Sequence, residues 1–248
     1  MPIDLPTRLA PRLVADRNLG AVRVNFRYAS FQSMMAAHSE KAGRDQYFDS
    51  QHETYGFRLH EIDPFVLDLQ YQPATLEWTT AAGAMNQMTF DFAVETQDHD
   101  IVLGEDKASD EYFDNDPELT ERLDFAEAHL EKWGAKLQRR VAGGLPKKSQ
   151  RLVVKSIFDA RRTEFSDDIA ARVQRAVLSA GGTLPLGPVL AVIGEHPARA
   201  LDMARAMMHR RVISMPLASP PMSDTPVTIP RPAVKGALRA FLAQFITD

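Results

Sequence analysis

The sequence predicts an α/β protein, with a mixed, mostly antiparallel sheet flanked by helices and followed by a mainly helical C-terminal domain. Three features carry this expectation. Between Phe65 and Lys107, short apolar runs are separated by turn formers at hairpin spacing. On either side of that stretch, 50–62 and 117–133 place apolar residues at helical spacing. Gly143-Gly144-Leu145-Pro146-Lys147-Lys148-Ser149 reads as a linker, and beyond it the periods are helical, which gives expected domains at 1–145 and 146–248.

Residues 1–49 read as an N-terminal arm whose clearest pattern is the alternation Val22-Arg23-Val24-Asn25-Phe26-Arg27-Tyr28, a short strand. In 50–62, Tyr55, Leu59 and Ile62 share a helical face, with Ser50 placed as N-cap and Glu53 three residues later in a capping-box pattern. Asp63-Pro64 ends this helix, because the residue before proline is pushed out of the helical region. Extended pieces follow at 65–71 and 75–78, broken by Gln72-Pro73. A hairpin connection at 81–84 leads to a strand at 88–94, and turn formers at 97–100 lead to another at 101–107. The acidic segment to Asp116 reads as loop. Pro117 opens a helix, with Glu118 and Glu121 complementing its dipole and Leu119, Leu123, Ala126 and Leu130 forming its apolar stripe. Gly134 stops that helix, and 136–141 follows as a strand.

Past the linker, 151–161 and 168–180 read as helices, Gly181-Gly182-Thr183 as a turn, 185–193 as a short helix and 197–210 as a longer one. Two short strands, 212–215 and 226–229, flank Ser219-Pro220-Pro221, and 233–245 closes the chain as a helix. Short helix, turn, second helix and strand pair is the order of a winged helix-turn-helix.

With 248 residues and no cysteine, the chain has the length for a sizeable core and nothing that suggests disulfides, a zinc ribbon or thiol chemistry. No apolar run approaches a membrane span, and Met1-Pro2-Ile3-Asp4-Leu5 lacks the basic and apolar regions of a secretory signal, so a cytoplasmic, membrane-free location is expected. The net charge of −4 conceals a segregation. From Asp91 to Glu131 there are fifteen Asp/Glu against Lys107 and Arg122, whereas from Lys132 to Arg162 there are ten Lys/Arg against Asp159. A basic block is commonly a solvated face; the alternative is a phosphate track, for which Lys132, Lys136, Arg139, Arg140, Lys147 and Lys148 are candidates.

The chemistry lies in acids from different elements. On a strand, residues two apart share a face, so Glu105 and Lys107 point together and Asp106 points away. Asp91, on the neighbouring strand, can present its carboxylate beside Glu105, and Glu53 can join them from the preceding helix. Glu53, Asp91 and Glu105 would then ligate Mg2+ or Mn2+, for which hard oxygens are suited, with Lys107 orienting a nucleophilic water or stabilising developing charge. The competing reading of Glu53 is a helix cap. The seven histidines, His52 among them, show no metal-ligand spacing, and Met203, Met207 and Met208 read as core or a pliable interface.

Ser50-x-x-Glu53, Glu61-x-Asp63-Pro64-x-Val66, Gln72-Pro73, Thr89-x-Asp91-Phe92 and the acid-x-Lys of 105–107, in that order, resemble the N-terminal domain of TnsA, the endonuclease subunit of heteromeric bacterial transposases. The C-terminal half is similar to that family's helical, winged-helix-like second domain, and the likeness covers most of 22–230. The resemblance implies a restriction-endonuclease-like fold of the PD-(D/E)xK class and metal-dependent cleavage of one strand of double-stranded DNA at transposon ends. It also implies partnership with a DDE transposase that cuts the other strand and with an ATPase regulator. Glu53, Asp91 and Lys107 match the family's catalytic positions, and Glu105 the position two before the lysine. Two residues depart from the pattern. Phe90 stands where the family usually has Pro, and Asp106 stands where an apolar residue usually packs, a place where an unpaired charge would be costly.

Two further functions remain open at this stage: a catalytically silent DNA-binding or assembly module of the same fold, and a stand-alone restriction or defence nuclease. In the C-terminal half, 197–210 is the recognition-helix candidate, with Arg199 and Arg205 placed to reach DNA; Asp202 among them fits a protein-binding module equally.

Overall fold

The computed structural model describes residues 10–22, 35–80 and 83–246; the expected strand at 22–28 lies almost wholly outside them. The chain is α/β, with mixed sheets and helices in two compact units. One comprises 1–53, 68–141 and 235–248, the other 54–67 and 142–234.

In chain order the first part runs β1 (Arg12–Ala15), β2 (Met35–Ser39), β3 (Arg44–Phe48), α1 (Gln51–Ile62), β4 (Val66–Tyr71), β5 (Ala74–Thr79), β6 (Met85–Thr89), β7 (Phe92–Thr96), β8 (Ile101–Lys107), α2 (Glu111–Asp114), α3 (Pro117–Lys132) and β9 (Ala135–Val141). Three sheets result: β1-β5-β6, the hairpin β2-β3, and β4-β7-β8-β9. The last is mixed, with β7 antiparallel to β8 and β8 parallel to β9. Parallel neighbours need a crossover, which α3 supplies. Asp116 caps α3 by accepting the Leu119 N–H, and its buried Leu123, Ala126 and Leu130 join Ile101 and Leu103 of β8 in one core.

The expected single strand at 88–94 is two strands in two sheets. β6 pairs with β5, whereas β7 lies between β4 and β8. The cause is legible opposite the break. Pro73 has no N–H to give a ladder and Gln72 has a φ of 48°, so the β4–β5 strand bends and its partner bends beside it. The Gln72 N–H then donates to the Asp91 carbonyl at 2.9 Å and the Phe90 N–H to the Ala74 carbonyl at 3.1 Å. Asp91 therefore occupies the corner where the chain passes from one sheet to the next. A short helix, α2, also stands where loop was expected.

Gly104 of β8 lies opposite Phe92. A Cβ there would overlap the fully buried Phe92 ring and come within 2.8 Å of the Gln138 carbonyl oxygen. Gly104→Ala is therefore expected to destabilise the fold by about 1–3 kcal/mol, the usual range for overpacking, read as a lower midpoint in denaturant unfolding.

The other unit contains α4 (Lys148–Ala160), α5 (Asp167–Ser179), β10 (Thr183–Pro185), α6 (Leu186–Ile193), α7 (Pro197–His209) and β11 (Pro226–Thr228). Val153, Ile157, Val173, Val177, Val189, Ile193, Met203, Met207 and Met208 are buried in its core, so the methionine group is packing. β11 pairs with β10, and the expected strand at 212–215 is reduced to one bridge, Ser214 to Thr228. The expected linker begins as a turn in which Ala142 and Gly143 are buried.

The closing helix is α8 (Ala237–Ala243), shorter than 233–245, and it belongs to the first unit. A contiguous division at 145/146 places it with the wrong core: its Leu238, Phe241 and Leu242 are buried with Leu13, Leu76 and Trp78. Glu95 of β7, itself buried, anchors it. Its Oε2 accepts the N–H groups of Gly236 at 2.9 Å and Leu238 at 3.1 Å, and its Oε1 lies 3.2 Å from His99 Nδ1. Burial alone would raise the Glu95 pKa, but these donors outweigh it and hold the carboxyl below its ordinary value. With the folded pKa below the unfolded one, the stabilisation is complete above the unfolded value, about 4.3, and disappears as pH falls through the folded value. Glu95→Ala should release α8, seen as faster amide exchange over 236–243 at neutral pH. Wild type should show the same release only on acidification below about pH 4.

Among the described residues no helix is long and apolar enough to cross a membrane.

Candidate active site

The corner at Asp91 builds the site. Its backbone N–H donates to the Gly104 carbonyl at 2.9 Å, and its Oδ2 accepts the Asp106 N–H at 2.6 Å. The carboxylate thus takes the place of a ladder acceptor where β7 has not yet begun, and β8 continues beside it through Lys107. Glu105 and Lys107 meet directly, Lys107 Nζ donating to Glu105 Oε1. Glu53 arrives from the first turn of α1. Ser50 Oγ accepts the Glu53 N–H at 3.1 Å, as the expected box requires, and Glu53 Oε2 accepts the N–H of Asp49 at 3.2 Å, one residue before the N-cap. Glu53 therefore does cap its helix, and its carboxylate is also part of the acidic cluster.

Charge binds these residues into one group. Burial is the main cause that raises the Glu53 pKa to about 7; hydrogen bonds from Ser50 and Asp49 oppose it, and the Asp49 and Asp106 charges add to it. Asp91 is pushed well above the ordinary carboxylate range, first by burial, then by Glu105 and Glu53, with the Asp106 N–H and Lys107 in partial opposition. Burial would lower the Lys107 pKa, but Glu105 above all, then Asp91 and Glu53, raise it. Lys107 thus feels the charge of all three carboxylates and hydrogen-bonds directly to Glu105.

On the opposite face of β8, the Asp106 departure has a clear explanation. Asp106 and Arg140 stand in register on the parallel strands β8 and β9. Arg140 Nε and Nη2 bind the Asp106 carboxylate oxygens at 2.7 and 2.6 Å, and Nη2 also donates to Tyr71 Oη at 3.3 Å. The guanidinium carbon lies 3.9 Å above the Phe92 ring. Asp106 is buried but paired, and the network forms a wall on that face of β8. This corrects the expectation for Arg140: at 5% exposure it supports the site from behind and is not presented to phosphates.

The other basic candidates divide. Lys136 pairs with Asp100 at 2.7 Å, and Arg139 with Asp124 and Glu127. Lys132, Lys147 and Lys148 are exposed. On α7, Arg205 pairs with Asp202 at 2.9 Å, and Arg199 lies 3.8 Å from Glu195.

Among the described residues, no three His, Asp or Glu side chains form a ready-made metal cage. The donor chemistry nonetheless fits a hard divalent cation. The oxygens are all carboxylate, and the repulsion among Asp91, Glu105 and Glu53 is of the kind such a cation relieves. Sequence reasoning missed Tyr71 and Arg140 as the wall. The available signal was Asp106, a charge at a packed position that requires a partner, which the parallel register of β8 and β9 supplies as Arg140.

No protein-family model matches this sequence, and no curated protein matches it.

Proposed function

We propose that this chain is a magnesium- or manganese-dependent DNA endonuclease of the TnsA kind, cutting one strand at the ends of a mobile element. The observation that carries this reading is the grouping of Glu53, Asp91, Glu105 and Lys107 at the end of β8, where burial first, and then the charges of Glu105 and Glu53, raise the Asp91 pKa. A bound cation would supply charge neutralisation at a phosphodiester and lower the pKa of a water. Glu53, Asp91 and Glu105 would hold it. Lys107, anchored on Glu105, would orient the attacking water and stabilise negative charge. The restriction-endonuclease-like fold belongs to the same proposal, with α3 and the mixed sheet as its frame. So does the winged-helix reading of α5, β10, α6, α7 and β11, whose order fits that motif. In this reading a DDE transposase and an ATPase regulator are the partners.

Two observations favour the silent assembly module: Asp91 spends an oxygen on the Asp106 N–H, and no metal cage stands ready among the described residues. The two readings separate in one assay. Purified chain, with its partner transposase and magnesium, should nick duplex carrying the element ends, and chelation should stop it. Partner-dependent binding with no metal-dependent nick at any end would favour the silent module.

A further inference from the structure

A second charged cluster lies in the first unit, at the other end of β4 from Gln72. Asp68 is buried, its side chain only 1% exposed, and its Oδ1 accepts the Leu69 N–H at 2.8 Å. Arg44 of β3 and Arg239 of α8 approach it from two sides, at 3.7 Å from Oδ1 and 3.5 Å from Oδ2. Burial raises the Asp68 pKa, and Arg44, the Leu69 N–H, Arg239 and, least, Lys235 oppose it.

The closer hydrogen bonds of these cations go to neutral groups. Arg44 donates to the Leu69 carbonyl at 3.1 Å, Lys235 to the Lys41 carbonyl at 2.9 Å and Arg239 to the Ala42 carbonyl at 2.9 Å. Three cations from two distant parts of the chain are thereby fixed around one carboxylate, a surplus of positive charge held by the backbone. Burial lowers the Arg44 pKa, Asp68 opposes this, and the neighbouring Arg239 adds to it, as expected where cations are crowded. A solvated charge run has no such anchoring. The Arg239 side chain keeps 49% of its surface exposed, so part of the cluster faces outward. Guanidinium and ammonium groups in this arrangement suit a phosphate, which accepts several donors at once.

We infer that Arg44, Lys235 and Arg239 form a phosphate-binding subsite that takes a backbone phosphate of the duplex engaged at the carboxylate cluster. The choice of DNA as the source of that phosphate rests on the nuclease reading above. β4 links the two places. Asp68 is four residues from Gln72, whose N–H holds the Asp91 carbonyl, and a strand rises about 3.3 Å per residue, so roughly 13 Å of strand separates them. That separation is shorter than one turn of duplex, about 34 Å.

The test is duplex binding by the full chain across a salt series without divalent cation, so that cleavage plays no part. Lys235→Gln/Arg239→Gln changes two exposed side chains, and a thermal melt checks that its fold is intact. The double variant should bind about tenfold more weakly at physiological salt, with the slope of log affinity against log salt reduced by about 0.9 per lost phosphate contact. Lys235→Arg/Arg239→Lys should stay close to wild type. Inorganic phosphate provides a second arm: it should raise the melting temperature of wild type and not of the Gln double variant. Equal affinity and slope in wild type and the Gln variant would overturn the subsite while leaving the nuclease reading intact. Phosphate stabilisation lost in the variant with duplex affinity unchanged would assign the site to a small phosphate compound and overturn DNA as its source. No duplex binding by wild type at any salt would overturn the proposal.

Discussion

On the proposed nuclease reading, Asp91→Asn is expected to leave a folded, more stable chain without DNA cleavage. Asparagine can still accept the Asp106 N–H that Asp91 Oδ2 now accepts at 2.6 Å, so the cap on β8 survives. It loses a charge that burial disfavours first and the Glu105 and Glu53 charges disfavour further, so without divalent cations the melting temperature should rise. In the proposed nuclease reading, cleavage requires that same charge. Removal of a metal-holding carboxylate should lower cleavage at least about a hundredfold, and Lys107→Ala, which deletes a group poised to stabilise developing charge, by about 10^2–10^3-fold in kcat. A variant that gains stability and loses the reaction is the expected behaviour of a site whose like charges are held together for chemistry. The measurements are a thermal melt in chelator and a nicking assay with the partner transposase. Full cleavage by both variants would remove the site assignment, whereas Asp91→Ala alone would confuse a lost cap with lost chemistry.

The largest stability effect should come from Arg140. Its guanidinium and Asp106 are both buried and joined by two hydrogen bonds, with Tyr71 and the Phe92 ring completing the surroundings. Arg140→Met leaves the Asp106 charge buried without its partner, which is expected to cost about 3–5 kcal/mol in denaturant unfolding. Asp106→Leu in the Arg140→Met background should recover most of that loss, because an apolar pair of similar volume avoids the desolvation penalty. A double variant no more stable than Arg140→Met would show that the arginine acts chiefly by packing on Phe92. Partial recovery of stability need not restore cleavage, since the wall also sets where the Asp106 N–H meets Asp91.

Local patterns in the sequence located the helix opened by Ser50, the helix opened by Pro117, the stop at Gly134 and the acid-x-lysine strand, because each depends on capping, proline geometry or strand alternation within a few residues. The break at Phe90-Asp91 was less visible. Nothing in 88–94 demands it; the demand comes from Gln72-Pro73 on the opposite strand, and only pairing transmits it. The placement of α8 was hidden for the same reason, since Glu95 and the Gly236 N–H are 141 residues apart. Arg140 shows how charge can mislead when read along the chain. In a run of ten basic residues it resembles its neighbours, yet its register beside Asp106 buries it while Lys132, Lys147 and Lys148 stay exposed. The discomfort of Asp106 was itself the clue, because a charge at a packed position requires a partner.

The central claim is that Glu53, Asp91 and Glu105 together hold a divalent cation, and Mn2+ binding followed by electron paramagnetic resonance tests it without DNA or a partner protein. Wild type should take up a single Mn2+ that Mg2+ displaces, and Asp91→Asn, Glu105→Gln and Glu53→Gln should each weaken that uptake. Absence of a bound Mn2+ in wild type, or uptake unchanged in all three variants, would contradict it.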